Sequence, residues 1–178
     1  MNKVRFPINF PQLETKRLVL RELTPGDSEA LFKNYSDEDI SSNFMDEPFT
    51  NVGQAEKLIE AFNLEFEQGK AITWAISLIG TETCIGTCGY MIDTSFNAEL
   101  GYDLSKSLWG NGLMNEALLS IVNYGFECLD FRKIFADTLS SNSRSINLLK
   151  KLEFQLDDVR DNSHYFSLTK KGMEQAEK

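Results

Sequence analysis

Three stretches of this sequence carry residues whose types and spacing can do chemistry. The first is SKSLWGNG at 105–112, followed at once by an apolar helical pattern through Leu113 and Met114. A helix start leaves backbone N–H groups free and carries partial positive charge, and closely spaced glycines let the backbone wrap a phosphate. An ordinary strand-to-helix turn has the same composition, and on these residues alone it is the commoner reading. The second stretch is SNSRSINLLKKL at 141–152, where Asn142 or Ser143 caps a helix. Leu148, Leu149 and Leu152 follow Ser145 at helical spacing, so its hydroxyl sits on the buried face and needs a partner. That partner is either a local carbonyl or a ligand held between helix and sheet. The third is Glu99, opposite the apolar positions of a strand. It reads either as a solvated strand residue or as a covered carboxylate whose raised pKa suits a base near neutral pH.

Other chemistries are removed by what the chain lacks. His164 is the only histidine, so a Ser-His or Cys-His pair would hang on one residue near the C-terminus. Cys84, Cys88 and Cys128 are an odd set in a chain long enough to fold without disulfides, which points to a reducing, cytoplasmic setting. No second Cys or His pair accompanies Cys84 and Cys88, so no metal site is expected. The phosphate-loop pattern G-x-x-x-x-G-K-[ST] is absent, and G-x-G-x-x-G would need glycine at position 115, where Asn115 stands. ATP hydrolysis and NAD binding are poor readings; a pyrophosphate held by backbone amides remains open.

The elements that must position these residues follow from periodicity. Residues 17–23 are β-like, and Thr24-Pro25-Gly26-Asp27 opens a helix running to about Asn34. The stretch 35–50 reads as a polar, acidic loop carrying Phe44, Met45, Asp46 and Phe49. Ala55, Leu58, Ile59, Phe62 and Phe66 recur at helical spacing, and Gly69 ends that helix. A hairpin of strands at 72–78 and 83–92 precedes a strand at 98–104. In the latter, Ala98, Leu100, Tyr102 and Leu104 share one face while Glu99, Gly101 and Asp103 share the other. A buried helix from Leu113 to about Phe126, a strand at 133–139, the helix at 142–152 and a closing hairpin complete the chain. The order β α α β β β α β α β β implies an α+β (mixed α/β) fold, one mostly antiparallel mixed sheet with helices on both faces.

With 178 residues, one domain spanning 1–178 is the simplest organisation. Eighteen Lys and Arg against 27 Asp and Glu give a net charge of −9. That balance argues against nucleic acid and anionic membrane surfaces, and favours a cationic partner. The N-terminal MNKVRFPINFPQ has no apolar signal region, and no apolar run is long enough to span a bilayer.

LETKRLVLRELTPGDSEALF at 13–32, AELGYDLSKSLWGNGLMNEAL at 98–118 and SNSRSINLLKKLEF at 141–154 occur in the order and spacing of a known family. Together they resemble the GNAT superfamily of acetyl-CoA-dependent N-acetyltransferases, and within it the RimJ/RimL-type branch. The resemblance implies a sheet splayed between the strands at 98–104 and 133–139, with the pantetheine arm of acetyl-CoA (coenzyme A) lying along Tyr102, Asp103 and Leu104. The pyrophosphate would rest on amides around Trp109, Gly110, Asn111, Gly112, Leu113 and Met114. Asn142 would hydrogen-bond the cofactor, Ser145 would protonate the departing thiolate, and Glu99 is the first candidate base. Phe44, Met45 and Asp46 would line the acceptor side. Acids of that loop, namely Asp37, Glu38, Asp39, Asp46 and Glu47, would attract a cationic acceptor amine. A homodimer is a plausible assembly, and a cofactor-binding sensor without turnover is the alternative function. Two residues depart from the family pattern. Ser107 stands where an Arg or Gln is usual, and Glu153 stands where a helix-ending glycine is usual, which implies altered end geometry or strain.

Overall fold

The computed structural model describes residues 5–43, 47–93 and 96–170. In chain order the elements are β1 (Leu13–Glu14), β2 (Leu18–Arg21), α1 (Ser28–Tyr35), α2 (Glu38–Ser41), α3 (Val52–Glu67), β3 (Ala71–Leu78), β4 (Cys84–Ile92) and β5 (Asn97–Leu104). Then follow α4 (Leu113–Glu127), β6 (Lys133–Leu139), α5 (Ser143–Lys151), β7 (Gln155–Arg160) and β8 (Ser163–Thr169). The strands form one sheet in the order β1-β2-β3-β4-β5-β6-β8-β7. Every adjacent pair is antiparallel except β5 with β6, so the mixed, mostly antiparallel sheet expected from the element order is present.

Two cores cover the two faces of the sheet. The alternation of β5 sends Ala98, Leu100 and Leu104 to one face, where they join Ile134 and Ala136 of β6 under the buried side of α4 and Leu149 of α5. The other face carries a separate core of Leu23, Leu31, Tyr35, Ile40, Ala55 and Ile59, drawn from α1, α2 and α3, against Ala75 and Cys84. Helix α4 buries Leu113, Met114, Ala117, Leu118, Ile121, Val122, Gly125 and Phe126, as its nearly continuous apolar surface implied.

Three local details differ from the sequence expectation. The strand expected over 17–23 is confined to Leu18–Arg21. Its last side chain turns to donate two hydrogen bonds to the Asp27 carboxylate, at 2.7 and 2.8 Å. The helix expected from Pro25 begins as a single 3-10 turn, Pro25–Asp27, before α1. The loop at 35–50 contains the short α2, whose start is capped by the Asp37 side chain accepting from the Asp39 amide at 2.9 Å.

Glu153 answers the question posed by its replacement of glycine. It keeps the left-handed conformation, with φ 64°. The Glu153 amide donates to Lys150 O, and the Phe154 amide reaches back to Leu149 O at 3.0 Å. The buried side chains of Leu149 and Phe154 accompany this ending. The end geometry is therefore retained, and a residue with a Cβ bears strain of about 1 kcal/mol there. Glu153→Gly is expected to raise stability by about 1 kcal/mol, roughly 3 °C in Tm for a chain of this size. A thermal melt in which the variant unfolds at or below the parent temperature would contradict this.

Candidate active site

The only parallel pairing in the sheet is short. Asn97, Ala98 and Glu99 of β5 lie opposite Lys133, Ile134 and Phe135 of β6, and pairing stops there. Beyond Glu99, β5 stays paired with β4 through Leu104, while β6 stays paired with β8 through Leu139. The facing edges of the two strands are thus unpaired inside the sheet, which leaves open backbone groups that an extended chain can pair with.

The direction of those groups follows from register. Leu104 lies opposite Gly86, and the Ser105 amide donates to Ile85 O at 2.8 Å. This makes Leu104–Gly86 a close, non-hydrogen-bonded pair, so the amide and carbonyl of Leu104 point away from β4 into the gap. By alternation the backbone groups of Tyr102 do the same. The Leu104 carbonyl is engaged by the Trp109 indole N–H at 2.8 Å, which leaves its amide facing the opening.

A cavity of about 710 Å³ fills this gap and continues over both faces of the sheet. On the α4 side it is walled by the turn between β5 and α4. Gly110 and Gly112 have φ 78° and 73°, conformations that suit glycine, and Gly112 is the residue preceding α4. A Cβ at Gly110 would meet nothing within 4 Å. Within α4 the Glu116 amide finds the Gly112 carbonyl at 3.2 Å, so the amides at the helix start before it are left for other acceptors. Asn115 also lines the cavity, with its Oδ1 buried and without a hydrogen-bond partner. Arg17, just before β2, braces the turn by donating to Asn111 O at 3.0 Å and to Glu116 at 2.7 Å. Arg144 lies over the Trp109 ring, 3.9 Å from its centre.

Helix α5 brings Ser145 to the same wall. Asn142 caps the helix by accepting from the Ser145 amide at 3.1 Å, and its side-chain N–H donates to Asn43 Oδ1 at 2.8 Å. The Ser145 hydroxyl is partnered by the Tyr102 hydroxyl at 2.7 Å, across the gap between helix and strand. The protein group that partners it is not a local carbonyl but a phenol on the strand that lines the opening. Burial pushes the Tyr102 phenol up to about 12, with the Ser145 hydrogen bond pulling the other way.

The opposite face is acidic. Glu99, Gly101 and Asp103 alternate along β5, and Asp137 follows Phe135 on β6, all lining the cavity. Burial and, after it, the Asp137 charge raise the Glu99 carboxyl above its ordinary value. Asp103 is only 6% exposed. It accepts hydrogen bonds from the Thr87 hydroxyl and from the Tyr35 hydroxyl, the latter at 2.8 Å. Burial lifts its carboxyl against the pull of those donors.

The structure thus brings Glu99, Tyr102, Asp103, Leu104, Trp109, Gly110, Gly112, Leu113, Met114, Asn142 and Ser145 around one cavity. Asn111 is the exception among the turn residues. Its side chain bonds back to the carbonyls of Leu108 and Trp109, and it does not line the cavity. Phe44, Met45 and Asp46 lie outside the described residues. Two of the loop acids are already occupied, since Lys106 pairs with both Asp39 and Asp37. Sequence reasoning missed Asp137, Arg144 and Arg17. For Asp137 the signal was present: in KIFADTL it alternates with the apolar Ile134 and Ala136, as Glu99 does in its own strand. Among the described residues no group of His, Cys, Asp or Glu is arranged to hold a metal ion, and no helix is long and apolar enough to cross a membrane.

Gly86 and Gly101 test how tightly this edge is built. A Cβ at Gly86 would lie 2.3 Å from Asp103 O and 2.8 Å from Leu104 Cα, whereas one at Gly101 meets nothing within 4 Å. Gly86→Ala is expected to cost about 3 kcal/mol, because only backbone can give way, and Gly101→Ala less than about 1 kcal/mol. Denaturant unfolding that ranks the two equally would refute this account of the strand pair.

The acetyltransferase (GNAT) domain model matches residues 17–155. The chain is 38% identical over 145 residues to "Uncharacterized N-acetyltransferase p20" of Bacillus licheniformis, covering 80% of this chain and 82% of that protein. It is 34% identical over 152 residues to "Uncharacterized N-acetyltransferase YoaA" of Bacillus subtilis (strain 168), covering 84% and 86%. Among solved structures, the ribosomal L7/L12 α-N-protein acetyltransferase RimL in complex with coenzyme A superposes with a TM-score of 0.78. That likeness covers 89% of this chain and 98% of that one at 17% identity, and it speaks to the fold.

Proposed function

The chain belongs to the GNAT family of acetyltransferases, and on that premise we propose that it transfers an acetyl group from acetyl-CoA to a primary amine, on a small molecule or at a protein N-terminus. The whole chain, 1–178, acts in this reading as a single transferase domain of the RimJ/RimL type. The observation that carries it is the unpaired edge of β5 beyond Glu99, flanked by the glycine turn on one side and by Ser145 on the other. An extended pantetheine arm fits such an edge, and its pyrophosphate fits the free amides at the start of α4. Asn115, with its buried and unpartnered oxygen, and Arg144 offer further polar contacts on that wall.

The reaction that suits these groups is direct attack of a neutral amine on the thioester carbonyl. The C–N bond forms, charge develops on the carbonyl oxygen, and the Leu104 amide stabilises it as a donor already oriented into the gap. The C–S bond then breaks, with its electron pair leaving on sulfur. The amine proton passes to Glu99 through water, and the thiolate takes a proton from the Ser145 hydroxyl, which the Tyr102 hydroxyl holds in place at 2.7 Å; solvent then restores the Ser145 proton and removes the one on Glu99. Asn142 holds Ser145 in place by capping α5, and its tie to Asn43 connects the cofactor wall to the acceptor loop.

Calorimetry with acetyl-CoA and release of free thiol with a panel of amines test this reading. Binding with turnover of at least one amine is expected. Ser145→Ala and Glu99→Gln should each lower kcat by about 10²-fold while acetyl-CoA still binds. Activity should fall as pH drops through the Glu99 value, which lies above the ordinary 4.5, because the protonated acid accepts no proton. No heat and no thermal shift at millimolar acetyl-CoA would overturn the proposal, and tight binding without turnover of any amine would favour a sensor.

A further inference from the structure

The cavity is divided by charge. Among the described residues its basic lining residues are Arg144 and Lys151, which stand on α5, on the same face of the sheet as Tyr102 and Ser145. Its acidic lining residues are Asp39, Glu99, Asp103 and Asp137. The last three lie on the face that carries Tyr35, as the Tyr35–Asp103 hydrogen bond and the alternation of β5 and β6 require. The first half suits an anionic cofactor; the second has no cation of its own.

The acids of that second half are not equivalent. Asp39 is paired with Lys106. Asp103 is held deep by Tyr35 and Thr87, although its Oδ1 is buried without a hydrogen-bond partner. Glu99 and Asp137 have no ion pair among the described residues. The cations on neighbouring strands are engaged elsewhere. Lys133 pairs with Asp157 at 3.0 Å, and Arg160 lies over the Tyr165 ring and against Asp158. Because Glu99 lies opposite Phe135, Asp137 stands one strand across and two residues along, on the side where the strands part. Gly101 leaves the floor beside them open.

Resting on the acetyltransferase reading above, we propose that Glu99 and Asp137 form a two-carboxylate acceptor subsite that selects a diamine, an amine carrying a second positive charge a short alkyl chain from the reacting nitrogen. The physical reason lies in the reaction. The attacking nitrogen must be neutral, so its own charge cannot hold the acceptor as the C–N bond forms. A second ammonium keeps its charge throughout and can. Glu99 takes the proton released by the attacking nitrogen and becomes neutral, while the Asp137 carboxylate pairs with the remaining ammonium. Asp137 is thereby a specificity-determining residue, and the unpartnered oxygen of Asp103 adds negative potential beneath the pair.

The test compares n-butylamine with 1,4-diaminobutane as acceptors for the full chain with acetyl-CoA at low salt. The diamine is expected to be favoured by about tenfold in kcat/KM. Asp137→Asn should abolish most of that preference by raising KM for the diamine and leave acetyl-CoA binding unchanged; Asp137→Glu should restore part of the preference. Equal use of the two amines by the parent chain, or a preference that Asp137→Asn does not move, overturns the subsite. Binding of acetyl-CoA with turnover of neither amine overturns it as well and leaves the cofactor reading standing. Absence of acetyl-CoA binding overturns both.

Discussion

The rest of this structure depends on where the pairing of β5 with β6 stops. Three residues of parallel ladder tie the strands together, and after Glu99 each keeps its outer neighbour and parts from the other. An unpaired edge in the middle of a sheet is costly unless something occupies it or water reaches it. Here the parting opens the cavity to solvent and aims the backbone groups of Tyr102 and Leu104 into it. The glycine turn, the cap of α5 and the acids of the far face matter chemically because they border that opening.

Two independently packed cores hold the parting in place. Helix α4 is clamped on one face by its continuous apolar surface, and at its start by Arg17 and Thr15 acting on Glu116. On the other face, the α1–α3 core brings Tyr35 to Asp103. Each strand edge is thus supported from the side away from the opening. Gly86 lets β4 approach the Asp103–Leu104 segment more closely than any side chain would permit. The β5 edge has no room to move towards β4, because the two backbones already meet closely at Gly86.

The same arrangement separates charge. A sheet residue can only point to one face or the other, so alternation sends Tyr102 towards Ser145 and sends Glu99 and Asp103 towards the face that carries Tyr35. Positive groups of α5 and negative groups of β5 and β6 thereby meet one cavity from opposite sides. The overall acidity of the chain is a poor guide to this. Asp37 and Asp39 of the 35–50 loop are largely spent on Lys106, and the cavity-lining acids without an ion pair, Glu99, Asp103 and Asp137, lie in strands.

Much of this was legible in the sequence, for local reasons. The alternation of β5, the capping of α5 by Asn142, the buried helix after the glycine turn and the strain at Glu153 are each decided by a residue and its near neighbours in the chain. The partner of Ser145 was not legible, because helical spacing says that the hydroxyl is covered and not by what. Asp137 alternates as clearly as Glu99, yet nothing local says that the two strands lie side by side. The amino-acid sequence by itself determined the elements, their faces and the residues able to do chemistry. Only the tertiary structure decided which of them share a cavity, since the meeting of Tyr102 with Ser145, of Lys106 with Asp39 and of Glu99 with Asp137 depends on strand order and on where one ladder ends.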